Sequence, residues 1–182
     1  MKFKYVFICG ICLGIEESGI GIGDILIASQ AWDYESGKIT EGLSGDLIFS
    51  PEMNCLPTEQ GIISRITEFI SDKENILKIS NGFNGDKPKD QIHAHIGPIA
   101  SGPYVLSSKN YLKMLKSKDR KLIGIDMEGY GTYKAAQFNP QCHPVFVKGV
   151  SDYGDDTKTD EYREFAAYNS AHFVHDFIYT SL

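Results

Sequence analysis

The stretch Gly124-Ile125-Asp126-Met127-Glu128-Gly129-Tyr130-Gly131, GIDMEGYG, decides how this chain is read. An apolar run, KLIGIDM, ends there, and EGYGTYKAAQF takes up helical spacing. A strand that turns straight into a helix is one half of a layered α/β unit. Two carboxylates flank Met127 at that turn. Charges are costly in a core, but a strand tip is where open α/β sheets hold ligands. Glu128 also has a plain structural use, since an acidic group at a helix start offsets the macrodipole.

The pattern recurs outward in both directions. KYVFICG, ending at Gly10, is a short continuous apolar run that suits a buried strand. GDILIASQAWDY predicts a second strand, GDLIFS a short third, QIHAHIGPIASG a fourth and HPVFVKGVSD another buried one. PTEQGIISRITEFISDK carries Ile62, Ile63, Ile66, Phe69 and Ile70 at helical spacing after Pro57 and Thr58. SSKNYLKMLKSKD predicts a helix capped by Ser107 or Ser108. NGFNGDKPKD reads as a loop. DEYREFAAYNSAHFVHDFIYTSL predicts a long final helix with Phe165, Phe173, Phe177 and Ile178 near one face. Strands interspersed with helices define an α/β class, and the 182 residues fit one domain, 1–182, without repeat or linker.

Composition narrows the function. A net charge of −6 without a Lys/Arg block argues against nucleic-acid binding through a basic face. The run Tyr5–Leu13 is too short, and too broken by glycine, to span a membrane. Glu16 and Glu17 follow it where a signal peptide would have a cleavage site, so a cytoplasmic protein is expected. Cys9 and Cys12 form one isolated CxxC, with Cys55 and Cys142 far off. A zinc site wants a second pair or suitably spaced histidines. Buried free thiols at a strand end are the expectation, and His93 and His95 read as one face of a strand. No metal or organic cofactor is implied.

Three apolar strands end in small or polar residues: FICGICLG at Gly10–Gly14, GIDMEG at Asp126–Gly129, and VKGVSDYGDD at 151–156. Converging tips could line one pocket. Glycine lets backbone approach a ligand. A glutamate can accept two hydrogen bonds from a sugar's vicinal diol, and a methionine can pack on the sugar face. An aspartate can hand a proton to a ring nitrogen. A solvated turn is the plain alternative for Asp152 and Asp155.

Four segments carry a resemblance to the nucleoside phosphorylase/nucleosidase superfamily, most of all to its methylthioadenosine/S-adenosylhomocysteine nucleosidase branch. GICLGIEESGIGIGDILIASQAWDYESGK resembles the family's glycine-rich strand end and the GD-I-V-V strand after it. HIGPIASGPYVL resembles G-x-x-x-SGD-x-F-I, IDMEGYG resembles V-[DE]-M-E-x, and VKGVSDYGDD resembles R-x-[IV]-SD-x-x-[DG]. The resemblance runs from about Phe7 to the C-terminus, with the motifs in the family's order.

It implies a three-layer phosphorylase-like fold, a mixed twisted sheet flanked by helices, and a homodimer or larger assembly. It implies that Glu128 binds the ribose hydroxyls with Met127 and Asp126 beside it, and that Asp152 protonates purine N7 with Ser151 orienting it. Val105 and Leu106 would face the base, and Gly10, Ile11 and Cys12 would border the ribose. An aspartate acid favours a 6-amino purine, because its second oxygen can accept from the exocyclic amine. Phosphorolytic relatives have an arginine where this chain has Ile8, so hydrolysis is expected. The chain departs from the family in three ways. It lacks the amino-terminal strands and first helix, hence the glutamate that activates water; Glu16, Glu17 and Glu35 do not replace it. Lys148 stands in place of an arginine, and Pro103 in place of an aspartate. The expected function is adenine-preferring nucleoside hydrolysis. A nucleoside-binding module without turnover and a phosphorylase are the alternatives.

Overall fold

The structure is a computed structural model that describes residues 3–154 and 160–182. In chain order the elements are β1 (Tyr5–Gly14), β2 (Ile25–Asp33), β3 (Gly37–Glu41), β4 (Leu47–Pro51), β5 (Asn54–Pro57), α1 (Gln60–Ser71) and α2 (Lys73–Gly82). Then come β6 (Ala94–Ser101), α3 (Lys109–Lys118), β7 (Gly124–Asp126), α4 (Gly129–Ala136), β8 (His143–Asp152) and α5 (Arg163–Ser181). A single 3₁₀ turn, Glu16–Ser18, follows β1.

The main sheet has the order β5-β2-β6-β7-β1-β8 and is mixed, as expected. It also curls. The last strand, β8, is parallel to β1 and pairs back on β2, antiparallel, through Ile25–Gly149 and Ile27–Val147. Alternation along β2 shows how the sheet is buried on both faces. Ile25 and Ile27 join a core with Ile62, Ile66 and Phe69 of α1 and Phe165, Phe173 and Phe177 of α5. Leu26 and Ala28 point the other way, into a cluster with Ile99, Phe146, Val150 and Tyr133 of α4. A third cluster, Leu13, Trp32, Ala100 and Ile125, packs on Leu115 of α3. Gly149 sits where β8 crosses α5, and a Cβ there would collide with the Ala166 backbone.

Several expectations need correction. β1 does not stop at Gly10; it runs on to Gly14, because Ile11, Cys12 and Leu13 pair with Gly149, Val150 and Asp152. β7 is antiparallel to β1, meeting it at Leu13 and Gly14. GDLIFS forms β4, which pairs with β3 in a separate exposed hairpin and not with the main sheet. The first helix breaks at Asp72, whose extended backbone and carboxylate cap a second helix, α2, that takes in Asn81 and Gly82 of the expected loop. Glu59 caps α1, receiving the N–H groups of Gly61 and Ile62. Thr58 is buried instead, bonded to the Ala28 carbonyl and the Tyr133 hydroxyl. Ser108 caps α3. All four cysteines are free, but only Cys12 is buried; Cys9 is exposed. His93 precedes β6, and its backbone N–H and the His95 ring both bond the buried Asp24 carboxylate.

Candidate active site

The start of α4 explains the carboxylate pair. Helix N-termini leave N–H groups without intrahelical partners. Asp126 supplies them: its Oδ2 accepts from Glu128 N at 2.9 Å, and both oxygens accept from Gly129 N at 3.1 Å. Ser101, at the tip of the adjacent parallel strand β6, donates to Asp126 Oδ1 at 2.6 Å and receives Tyr130 N at 2.9 Å. Lys148 is buried beneath them. Its ammonium lies 3.7 Å from Asp126 Oδ2, 3.0 Å from Glu128 Oε2, and 4.4 Å over the Phe146 ring.

These contacts separate the two carboxylates. Burial pushes the Asp126 carboxyl up, against the pull of Ser101, the backbone N–H groups and Lys148. Burial also acts upward on Glu128, but the Lys148 hydrogen bond and charge outweigh it and hold that carboxyl below its ordinary value. Asp126 is enclosed, whereas the Glu128 side chain is 61% exposed.

The tip of β8 holds the other acid. Ser151 Oγ donates to Asp152 Oδ2 at 2.8 Å and Gly154 N to Oδ1 at 3.0 Å. Gly154 has φ +63°, and a Cβ there would meet Leu13. Asp152 is 7% exposed. Next to it, burial pushes the Cys12 thiol far up, so the thiol is a small apolar wall.

A cleft of about 260 Å³ joins the two tips. Of the residues singled out from the sequence, Ile11, Cys12, Val105, Leu106, Asp126, Met127, Glu128, Ser151 and Asp152 line it. Gly10 and Lys148 do not. Gly10 donates its N–H to Ser170 of α5, and Lys148 stands behind Glu128. Asp155 and Asp156 lie outside the described residues. Leu13, within the Gly10–Gly14 stretch expected to border the sugar, lines it too, and Tyr104, Ile125 and Arg163 also line the cleft and were not foreseen. Glu16 and Glu17 lie on other depressions. One of these is wider, about 730 Å³, but among the described residues that line it Glu17 is the only carboxylate. Among the described residues no three His, Cys, Asp or Glu side chains are grouped to hold a metal, and no helix is long and apolar enough to cross a membrane.

A serine-held aspartate and an exposed glutamate thus lie on one cleft. Compared with known families, residues 1–180 match the model of the phosphorylase superfamily. The chain belongs to the phosphorylase superfamily. Within it, protein y4jS of Sinorhizobium fredii is 31% identical over 172 residues, covering 93% of this chain and 41% of that protein. ATP nucleosidase Cap17 of Escherichia coli is 26% identical over 187 residues, covering 97% of this chain and 36% of that one. The phosphorylase-superfamily chain therefore spans about two fifths of these curated relatives. Among solved structures, the Streptococcus pneumoniae MTA/SAH nucleosidase in complex with 8-aminoadenine superposes with a TM-score of 0.71 at 19% identity, covering 98% of this chain and 70% of that one. That likeness is one of fold.

Proposed function

We propose that the cleft binds an adenine nucleoside unit and hydrolyses its N-glycosidic bond. The observation that carries this is the placing of Glu128 and Asp152 on one cleft of about 260 Å³, one acid open and the other held by Ser151. Glu128 accepts the 2′- and 3′-hydroxyls through its carboxylate, which Lys148 steadies from behind. Met127, half exposed, packs on the sugar. Val105 and Leu106 give the base an apolar wall.

As the N9–C1′ bond breaks, its electron pair goes to the purine and positive charge grows on the ribose. The acid form of Asp152 gives its proton to N7, and a water adds at C1′ and releases its own proton to solvent. General-acid help of this kind is worth about 10²–10⁴-fold. The substrates that name the relatives, ATP for one and MTA or SAH for the other, share an adenine nucleoside core and differ at the 5′ end.

The test is release of free adenine from adenosine, methylthioadenosine and ATP, with and without inorganic phosphate. Adenine with free ribose, independent of phosphate, is expected. Asp152→Asn lowers turnover by about 10²–10⁴-fold while nucleoside affinity persists. Undiminished turnover in that variant removes Asp152 from the role. Binding without release from any of the three assigns the chain as a binding module.

A further inference from the structure

Resting on the reading of the cleft as a nucleoside site, we infer that Arg163 makes it selective for nucleosides carrying a 5′-phosphate. Among the described residues that line the cleft, Arg163 is the only cation; the other charged groups are Asp126, Glu128 and Asp152. Lys148 is committed behind Glu128 and Asp126. This distribution orders a ligand. A phosphate placed at the Glu128 and Asp152 tips meets carboxylates, and among the described lining residues only Arg163 attracts it. The diol and the base therefore go to the acids, and the 5′ end goes to Arg163.

Arg163 is suited to that part and is not needed for the helix it starts. It is the first residue of α5, where a cation opposes the helix macrodipole. Its guanidinium meets Asp160 at 3.5 Å, and both side chains are mostly exposed (60% and 77%). Exposed pairs of this kind hold weakly, so a phosphate can displace Asp160. The planar guanidinium then offers two parallel N–H donors to phosphate oxygens, which an ammonium cannot match. A neutral thioether at the 5′ position gains nothing from it.

The test measures dissociation constants for adenosine, AMP and ATP by calorimetry, in an Asp152→Asn background that stops turnover. AMP and ATP should bind at least about tenfold more tightly than adenosine at low salt, with the advantage shrinking as salt rises. Arg163→Ala should remove most of that advantage and Arg163→Lys only part of it. Equal affinity for AMP and adenosine, or an advantage that survives Arg163→Ala, overturns the inference and leaves the nucleoside site standing. Failure to bind any of the three overturns the nucleoside site itself. Inorganic phosphate forms the remaining arm. Should it accelerate adenine release from adenosine in the otherwise wild-type chain, and lose that effect in Arg163→Ala, Arg163 holds an attacking phosphate and the 5′ assignment is wrong.

Discussion

The tips of β7 and β8 are built alike and used differently. Each ends in a buried aspartate that takes a serine hydroxyl and a backbone N–H: Ser101 and Gly129 at Asp126, Ser151 and Gly154 at Asp152. At β7 a helix begins at once, so both Asp126 oxygens receive amide N–H groups and a buried lysine approaches as well. That aspartate holds architecture, and the exposed carboxylate stands two residues on, at Glu128. At β8 a turn through Gly154 intervenes before α5, and Asp152 stays beside the cleft. What marks the β7 tip is the helix start itself: its N–H groups take both oxygens of Asp126, and a buried lysine approaches.

The largest effect that could break this contrast is on stability. Asp126→Ala leaves the Ser101 hydroxyl, two helix N–H groups and part of the Lys148 charge without an acceptor. Removing one member of a buried charged network costs roughly 3–5 kcal/mol. Thermal and urea unfolding should show that loss, while Asp152→Asn, which keeps shape and hydrogen-bonding oxygen, should melt close to wild type. Similar losses for both would erase the distinction between the tips. Glu128→Gln is the next step down. Hydrogen bonds to a charged acceptor are worth about 1.5–3 kcal/mol, so nucleoside affinity should fall by roughly ten- to hundredfold with little change in melting. A 2′,3′-dideoxy nucleoside should bind wild type and variant equally; discrimination between them would point to a different group on the diol.

How much of this could be read before the fold was known follows from the same contacts. Strands β1, β2, β4, β6, β7 and β8 were legible as apolar runs, and α5 because its phenylalanines recur on one side, whereas β3 and β5, short and largely exposed, gave no such signal. The cleft's acids were legible because they interrupt such runs. The end of β1 was not, since Gly10 and Gly14 look like loop residues until β8 pairs with the segment between them. The direction of β7 was hidden, because three residues of strand carry no sign of whether a neighbour runs with or against them. Asp126 and Glu128 looked equivalent on either side of Met127; only the position of the α4 N–H groups divides them. Arg163 was invisible for another reason. It lies in a charged stretch, DEYRE, that reads as a solvated helix start, and it reaches the cleft only because α5 packs its phenylalanines on the curled sheet.

The smallest expected effect concerns Lys148, and it sharpens the contrast through pH. In the proposed role Glu128 holds the sugar as a carboxylate, so affinity should be present above that group's pKa and be lost as pH falls through it. In the wild type, burial acts upward on the carboxyl but the Lys148 bond and charge hold it below the ordinary 4.5. The acid limb of affinity therefore lies below that value. Lys148→Met fills similar space and removes the two larger lowering influences, leaving burial opposed only by the Asp126 hydrogen bond, so the limb should move to higher pH. Near neutral pH both proteins have an ionised Glu128, and affinities should agree within a few-fold. A limb that stays in place would mean that Lys148 serves Asp126 alone and leaves the exposed glutamate at the β7 tip untouched.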